Sequence, residues 1–227
     1  MGVPGMNNTP QRLRVLFSKD GNLRFIGHLD LQRLFERALR RSGLPLRYSQ
    51  GFNPKVRLNL ACALPLGFSS DCELMDFWLE GQSDLDSVNQ KLTQALPKEL
   101  RVLGVEEVPN NLPSLQSSTL SCEYEIRFPS QYSGEELETH LQSLLQQEHL
   151  VVARKKKSVD IRELLQDWGW EKRPEGTVLR LVLNATPEAT GRPDEWITLM
   201  GIDFAECSIH RSRLILSSPT VKEGKND

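Results

Sequence analysis

Leu13-Arg14-Val15-Leu16-Phe17 is followed, after a turn, by Leu31-Gln32-Arg33-Leu34-Phe35-Glu36-Arg37-Ala38-Leu39, and the change of period between these segments decides the fold. The first alternates and predicts a strand, while Leu31, Leu34, Phe35, Ala38 and Leu39 recur at helical spacing and predict a helix. Between them Lys19-Asp20-Gly21-Asn22 makes a turn, and residues 23–26 read as extended chain. Asp30 suits the positive end of the helix, and Gly43 supplies its stop.

Further along, a loop Gln50-Gly51-Phe52-Asn53-Pro54 precedes strand candidates at 56–62 and 72–79, joined through Pro65 and Gly67. Ser83 with Asp86 resembles a capping box ahead of the stripe Leu85, Val88, Leu92, Ala95 and Leu96, and residues 100–108 read as a last strand. The order over residues 12–108 is β-α-β-β-α-β. Pro109-Asn110-Asn111-Leu112-Pro113 and the serines to 118 mark a linker, 109–119. Residues 120–217 repeat the order: strands at 122–128, 150–153, 177–183 and 208–216, a helix capped by Ser133 and Glu136, and a short helix opened by Pro193. Ile161, Leu164, Leu165 and Trp168 suggest a helical insertion there. The expected fold class is α+β, as two tandem ferredoxin-like (βαββαβ) units, each sheet covered on one face by two helices.

With 38% hydrophobic and 26% charged residues in 227, the chain can bury a core, so disorder is not expected. No stretch approaches the roughly 18 apolar residues of a membrane helix, and the first ten residues lack a signal-peptide pattern, so a cytoplasmic protein is expected. Cys62, Cys72, Cys122 and Cys207 have no metal-site spacing and read as reduced core thiols, and neither metal nor cofactor is expected. The net charge of −2 hides an asymmetry: eleven basic residues between Arg12 and Arg57 face three acids, a formal +8. One end of the molecule should carry a positive field.

Gly27-His28-Leu29-Asp30-Leu31-Gln32-Arg33-Leu34-Phe35-Glu36-Arg37-Ala38-Leu39-Arg40-Arg41-Ser42-Gly43-Leu44-Pro45, then Tyr48-Ser49-Gln50-Gly51-Phe52-Asn53-Pro54, Leu64-Pro65-Leu66-Gly67 and Glu73-Leu74-Met75-Asp76 form a distinctive set. Together they closely resemble the radical SAM-linked protein family, a domain of unknown function commonly fused to, or encoded beside, a radical S-adenosylmethionine enzyme. The resemblance is strong over residues 13–79 and weaker to 216. It implies a radical SAM enzyme as partner and carries no reaction with it. The chain lacks a Cys-x3-Cys-x2-Cys triplet, so any cluster and S-adenosylmethionine would belong to that partner.

Arg33, Arg37, Arg40 and Arg41 share the helix face opposite the leucine stripe, and with Lys55 and Arg57 they form a candidate RNA-binding set. A solvated face, with Glu36 pairing to Arg40, would use the same residues. Gln50 to Pro54 form a candidate partner or substrate loop, in which Phe52 either stacks on a base or folds back on its own core. His28, beside Asp30 and with Ser49 and Gln50 expected nearby, is a weak catalytic candidate. Arg154-Lys155-Lys156-Lys157 reads equally as an edge guard or a nucleic-acid contact. The reading favoured is a non-catalytic accessory module presenting RNA or a ribosome-related substrate to the partner enzyme. The alternatives are a metal-independent RNA endonuclease with His28 as base, and a pure protein-interaction scaffold.

Overall fold

A computed structural model of the chain describes residues 9–155, 157–174 and 176–217. Strand β1 (Gln11–Lys19) turns Leu13, Val15 and Phe17 to one buried face and its alternate residues to the other. A 3-10 turn at Gly21–Phe25 replaces the extended chain expected at 23–26. Gly21 opens it with φ 56°, a conformation that costs a residue without Cβ little. Helix α1 (His28–Arg41) buries Leu31, Phe35, Ala38 and Leu39, the stripe its periodicity marked. Strands β2 (Leu58–Leu60) and β3 (Ser69–Leu79), helix α2 (Leu85–Ala95) and strand β4 (Leu100–Val108) follow. The α2 cap is Asp84, whose carboxylate accepts the Ser87 N–H, and not the Ser83 of the expected capping box.

The second half comprises a single turn α3 (Leu115–Ser118), β5 (Thr119–Arg127), α4 (Gly134–Leu145), β6 (Val151–Arg154), β7 (Lys157–Asp160), β8 (Leu165–Arg173), β9 (Gly176–Asn184), α5 (Pro193–Leu199) and β10 (Ser208–Leu216). Ser133 caps α4 by accepting the Glu136 N–H. Where a helical insertion was expected from Ile161, Leu164, Leu165 and Trp168, residues 161–164 make a single turn, with the Leu164 N–H donating to the Ile161 carbonyl, and strand β8 begins at Leu165. Trp168 and Trp170 lie opposite Leu181 and Leu179 in the β8–β9 ladder, and pairing along nine residues of β8 overrides a local spacing that imitates a helix.

The chain is a mixed α+β fold with one large sheet. Eight strands join in the order β4-β1-β3-β10-β5-β9-β8, with β2 also on β3, and β6–β7 form a separate hairpin. The halves therefore share a sheet edge to edge, rather than each having a sheet of its own. β2 covers β3 only at Met75–Phe77, which leaves Ser69 and Ser70 free to pair in parallel with His210 and Arg211. The other contacts within the sheet are antiparallel. Side-chain alternation runs through this junction, so α1, α2, α4 and α5 cover one face of the sheet and the other is largely open.

The expected linker is packed against the sheet. Leu115 is buried, the Trp78 indole donates to Asn110, and Arg12 donates to the carbonyls of Leu112 and Pro113. No helix among the described residues is long and apolar enough to cross a membrane.

Candidate functional site

The leucine stripe of α1 faces the core, so helical geometry carries Arg33, Arg37, Arg40 and Arg41 outward, and all four are exposed. Arg33, Arg37 and Arg41 line an open groove of about 670 Å³ between α1 and α2, in which Ile26, Leu34, Leu96 and Pro97 supply apolar surface. Arg33 makes an exposed pair with Asp30 at 3.2 Å, and Arg41 donates to the Ala95 carbonyl at 2.7 Å. Asp30, which also lines the groove, offsets one of the three arginine charges and leaves the other two in excess. Glu36 accepts from Gln32 in place of the expected pairing with Arg40, and the local ion pair on this helix is Arg33 with Asp30.

Lys55 and Arg57 stand apart from that groove. Arg57 lies over the Trp78 ring at 4.2 Å, on the face of the sheet away from α1, with Arg12 5.2 Å from the same ring. Burial, with Arg47 and Arg12 nearby, lowers the Arg57 pKa. Lys55 is exposed and its backbone closes a loop with Ser49. Gln50, Gly51, Phe52, Asn53 and Pro54 form the tip of that loop, and the Phe52 ring is fully exposed rather than folded back. In the basic run, Arg154 is held by Glu195 through two 2.7 Å bonds, Lys155 and Lys157 are exposed, and Lys156 lies outside the described residues.

His28 is half-buried at the start of α1. The charges acting on its imidazole are Glu73, Lys19 and Arg211, whereas Ser49, expected beside it, is bonded within its own loop to Lys55. Burial lowers the His28 pKa, Glu73 opposes that shift, and Lys19 and Arg211 add to it. Glu73 is already engaged: Arg211 Nη1 donates to both of its oxygens at 3.0 and 3.2 Å, while Arg211 Nη2 donates to the Ala63 carbonyl and the Tyr124 hydroxyl. The Lys19 ammonium is spent on the carbonyls of Ile26 and Arg24. This buried cluster fastens the two halves and leaves His28 without a hydrogen-bonded catalytic partner among the described residues.

Two further juxtapositions escaped the sequence. Cys62 and Cys122 place their sulfurs 3.7 Å apart beside that cluster, and the Cys62 thiol pKa is pushed up by its contact with Cys122 and by burial. On the open face, His210 Nδ1 lies 3.0 Å from Ser69 Oγ and Nε2 lies 3.3 Å from Asp71. These residues line a polar hollow of about 360 Å³ with Arg127 and Glu125. Asp71 is mostly exposed, so its carboxylate stays hydrated and holds the imidazole loosely. Ser69 and His210 are 141 positions apart, a separation that no motif spacing reveals.

Residues 12–193 match the family described as an uncharacterized protein conserved in bacteria (DUF2344). The chain belongs to this family. No curated protein matches it. Within the DUF2344 chain, the matched span holds α1, the groove, the Gln50–Pro54 loop and Glu73, but stops before Arg211 and His210.

Proposed function

We propose that this chain is a binding module that presents RNA to a partner enzyme, with the α1–α2 groove as the RNA contact. The convergence of Arg33, Arg37 and Arg41 on one groove with apolar walls carries the reading, because guanidinium groups take phosphates while apolar surface takes sugars and bases. Helix α4, in the corresponding place in the second half, supports it by contrast. Its outer face carries Glu135, Glu138, Gln142 and Gln146, so an arginine face is not what this position requires for solubility.

The scaffold fits the same proposal. Strand orders β4-β1-β3-β2 and β10-β5-β9-β8 each follow the 4-1-3-2 order of a ferredoxin-like unit, which supports a tandem of two such units. The motifs from Gly27 to Asp76 support a radical SAM enzyme as the partner.

Affinity for single-stranded RNA should fall steeply with salt. Replacing both Arg33 and Arg37 by Gln should flatten the slope of log K against log salt by roughly 0.7 per lost phosphate contact. Fluorescence anisotropy across a salt series measures both. A double variant that binds as the wild type does, or a wild type that binds nothing at low salt, overturns the RNA assignment.

A further inference from the structure

On the helix-covered side of the junction lies a second pocket, of about 310 Å³, formed by three turns from both halves of the chain. Phe25 comes from the turn before α1, Leu66 from the β2–β3 connection, and Phe204 from the turn before β10. These side chains are 59%, 59% and 41% exposed around a floor that includes Phe68 and Ile209. Large apolar groups clustered at one rim mark a contact surface, whereas scattered ones do not.

Arg24 also lines this pocket. Its guanidinium lies over the Phe25 ring at 4.9 Å, has no acidic partner among the described residues, and its Nε is buried without a hydrogen bond. A buried donor with no acceptor is costly, and an incoming anionic oxygen would relieve it. The acids on the neighbouring turn are otherwise engaged: Asp203 caps Ala205, and Glu206 accepts from Gln131.

We propose that this pocket docks a partner protein by taking one of its leucine or aromatic side chains, with Arg24 pairing to an adjacent carboxylate. A protein segment fits better than a small acid because a ligand confined to the pocket would leave the rims of Phe25, Leu66 and Phe204 wet. A chain passing over the pocket covers all three, as the ring around an interface hot spot does. The pocket and the arginine groove share no lining residue, although Phe25 of one adjoins Ile26 of the other in the chain, so either assignment can fail while the other stands.

The test is selection of a random 12-residue phage-displayed peptide library on the full chain, with counter-selection on Leu66→Asp. The expected consensus pairs a leucine or aromatic residue with Asp or Glu within three positions. Affinity of the synthesised consensus peptide should fall roughly tenfold or more for Leu66→Asp and severalfold for Arg24→Gln. Arg24→Glu should favour a peptide in which the acid is replaced by Lys. Phe204→Ser gives a second rim variant, and circular dichroism checks that each variant folds. A consensus without an acid, or one whose binding ignores both Leu66→Asp and Arg24→Gln, overturns the proposal. Saturable binding of phenylacetate with no selected peptide overturns it too, in favour of a small acid. RNA affinity should be unchanged in Leu66→Asp.

Discussion

Arg12 and Arg33 stand 21 positions apart in one basic segment, yet the structure uses them in opposite ways. Arg12 is buried with every nitrogen engaged: Nε and Nη2 bond Asp76, and Nη1 and Nη2 reach the carbonyls of Leu112 and Pro113. Arg14 adds two bonds to the same carboxylate, and Lys19 is likewise sealed. Arg33, Arg37 and Arg40 reach into water, as does Lys55. The formal +8 of the segment therefore overstates the field offered to a ligand. The inner arginines hold the sheet and the connection between halves, while the outer ones stand exposed to solvent.

The largest effect that could break this comparison lies on the sealed side. Replacing Asp76 by Asn leaves Arg12 and Arg14 charged and short of their counter-ion, and should cost about 3–5 kcal/mol of stability, the range for breaking a buried pair. Urea unfolding measures it. A loss below about 1 kcal/mol would mean that the cluster is hydrated and the contrast is one of degree.

A smaller effect is expected on the exposed side. The Arg33→Gln, Arg37→Gln variant keeps the apolar stripe and breaks only an exposed i, i+3 pair, so its stability should move by no more than about 0.5 kcal/mol. A larger loss in the same urea series would make these arginines structural.

The smallest effect concerns His28, which is half-buried and so intermediate between the two. Its folded pKa is below the ordinary 6.5, with burial the main cause, so the fold favours the neutral ring. Above 6.5 both folded and unfolded states hold it neutral and no stability depends on it. As pH falls below 6.5 the unfolded chain takes the proton first, and stability falls until the folded pKa is passed. His28→Gln should remove that component between neutral pH and the onset of carboxylate titration, as read by thermal midpoints against pH. An unchanged profile would place the imidazole in bulk solvent.

The parts legible in sequence are those set by local period. Helix α1, the Ser133 cap and the strand Leu100–Val108 were readable because neighbours a few residues apart decide them. Strand β8 was not, since Ile161, Leu164, Leu165 and Trp168 sit at helix-like intervals and only the ladder to β9 excludes a helix. The arginine face was legible for the same local reason. Arg211 and Glu73 are 138 positions apart, and Phe25, Leu66 and Phe204 are single apolar residues in three separate turns. Assembly alone brings them together.

Strand β10 comes last in chain order among the described residues, yet stands fourth of seven along the main row of the sheet. A ribosome delivers residues in sequence, so β1 to β4 must wait for it. Until Arg211 has been translated, Glu73 lacks its hydrogen-bonded ion-pair partner and Ser69 and Ser70 present an unpaired strand edge. The nascent first half is thus held open at the place where the finished molecule is joined, and during synthesis that edge is the one most open to mispairing with another chain or to capture by a chaperone.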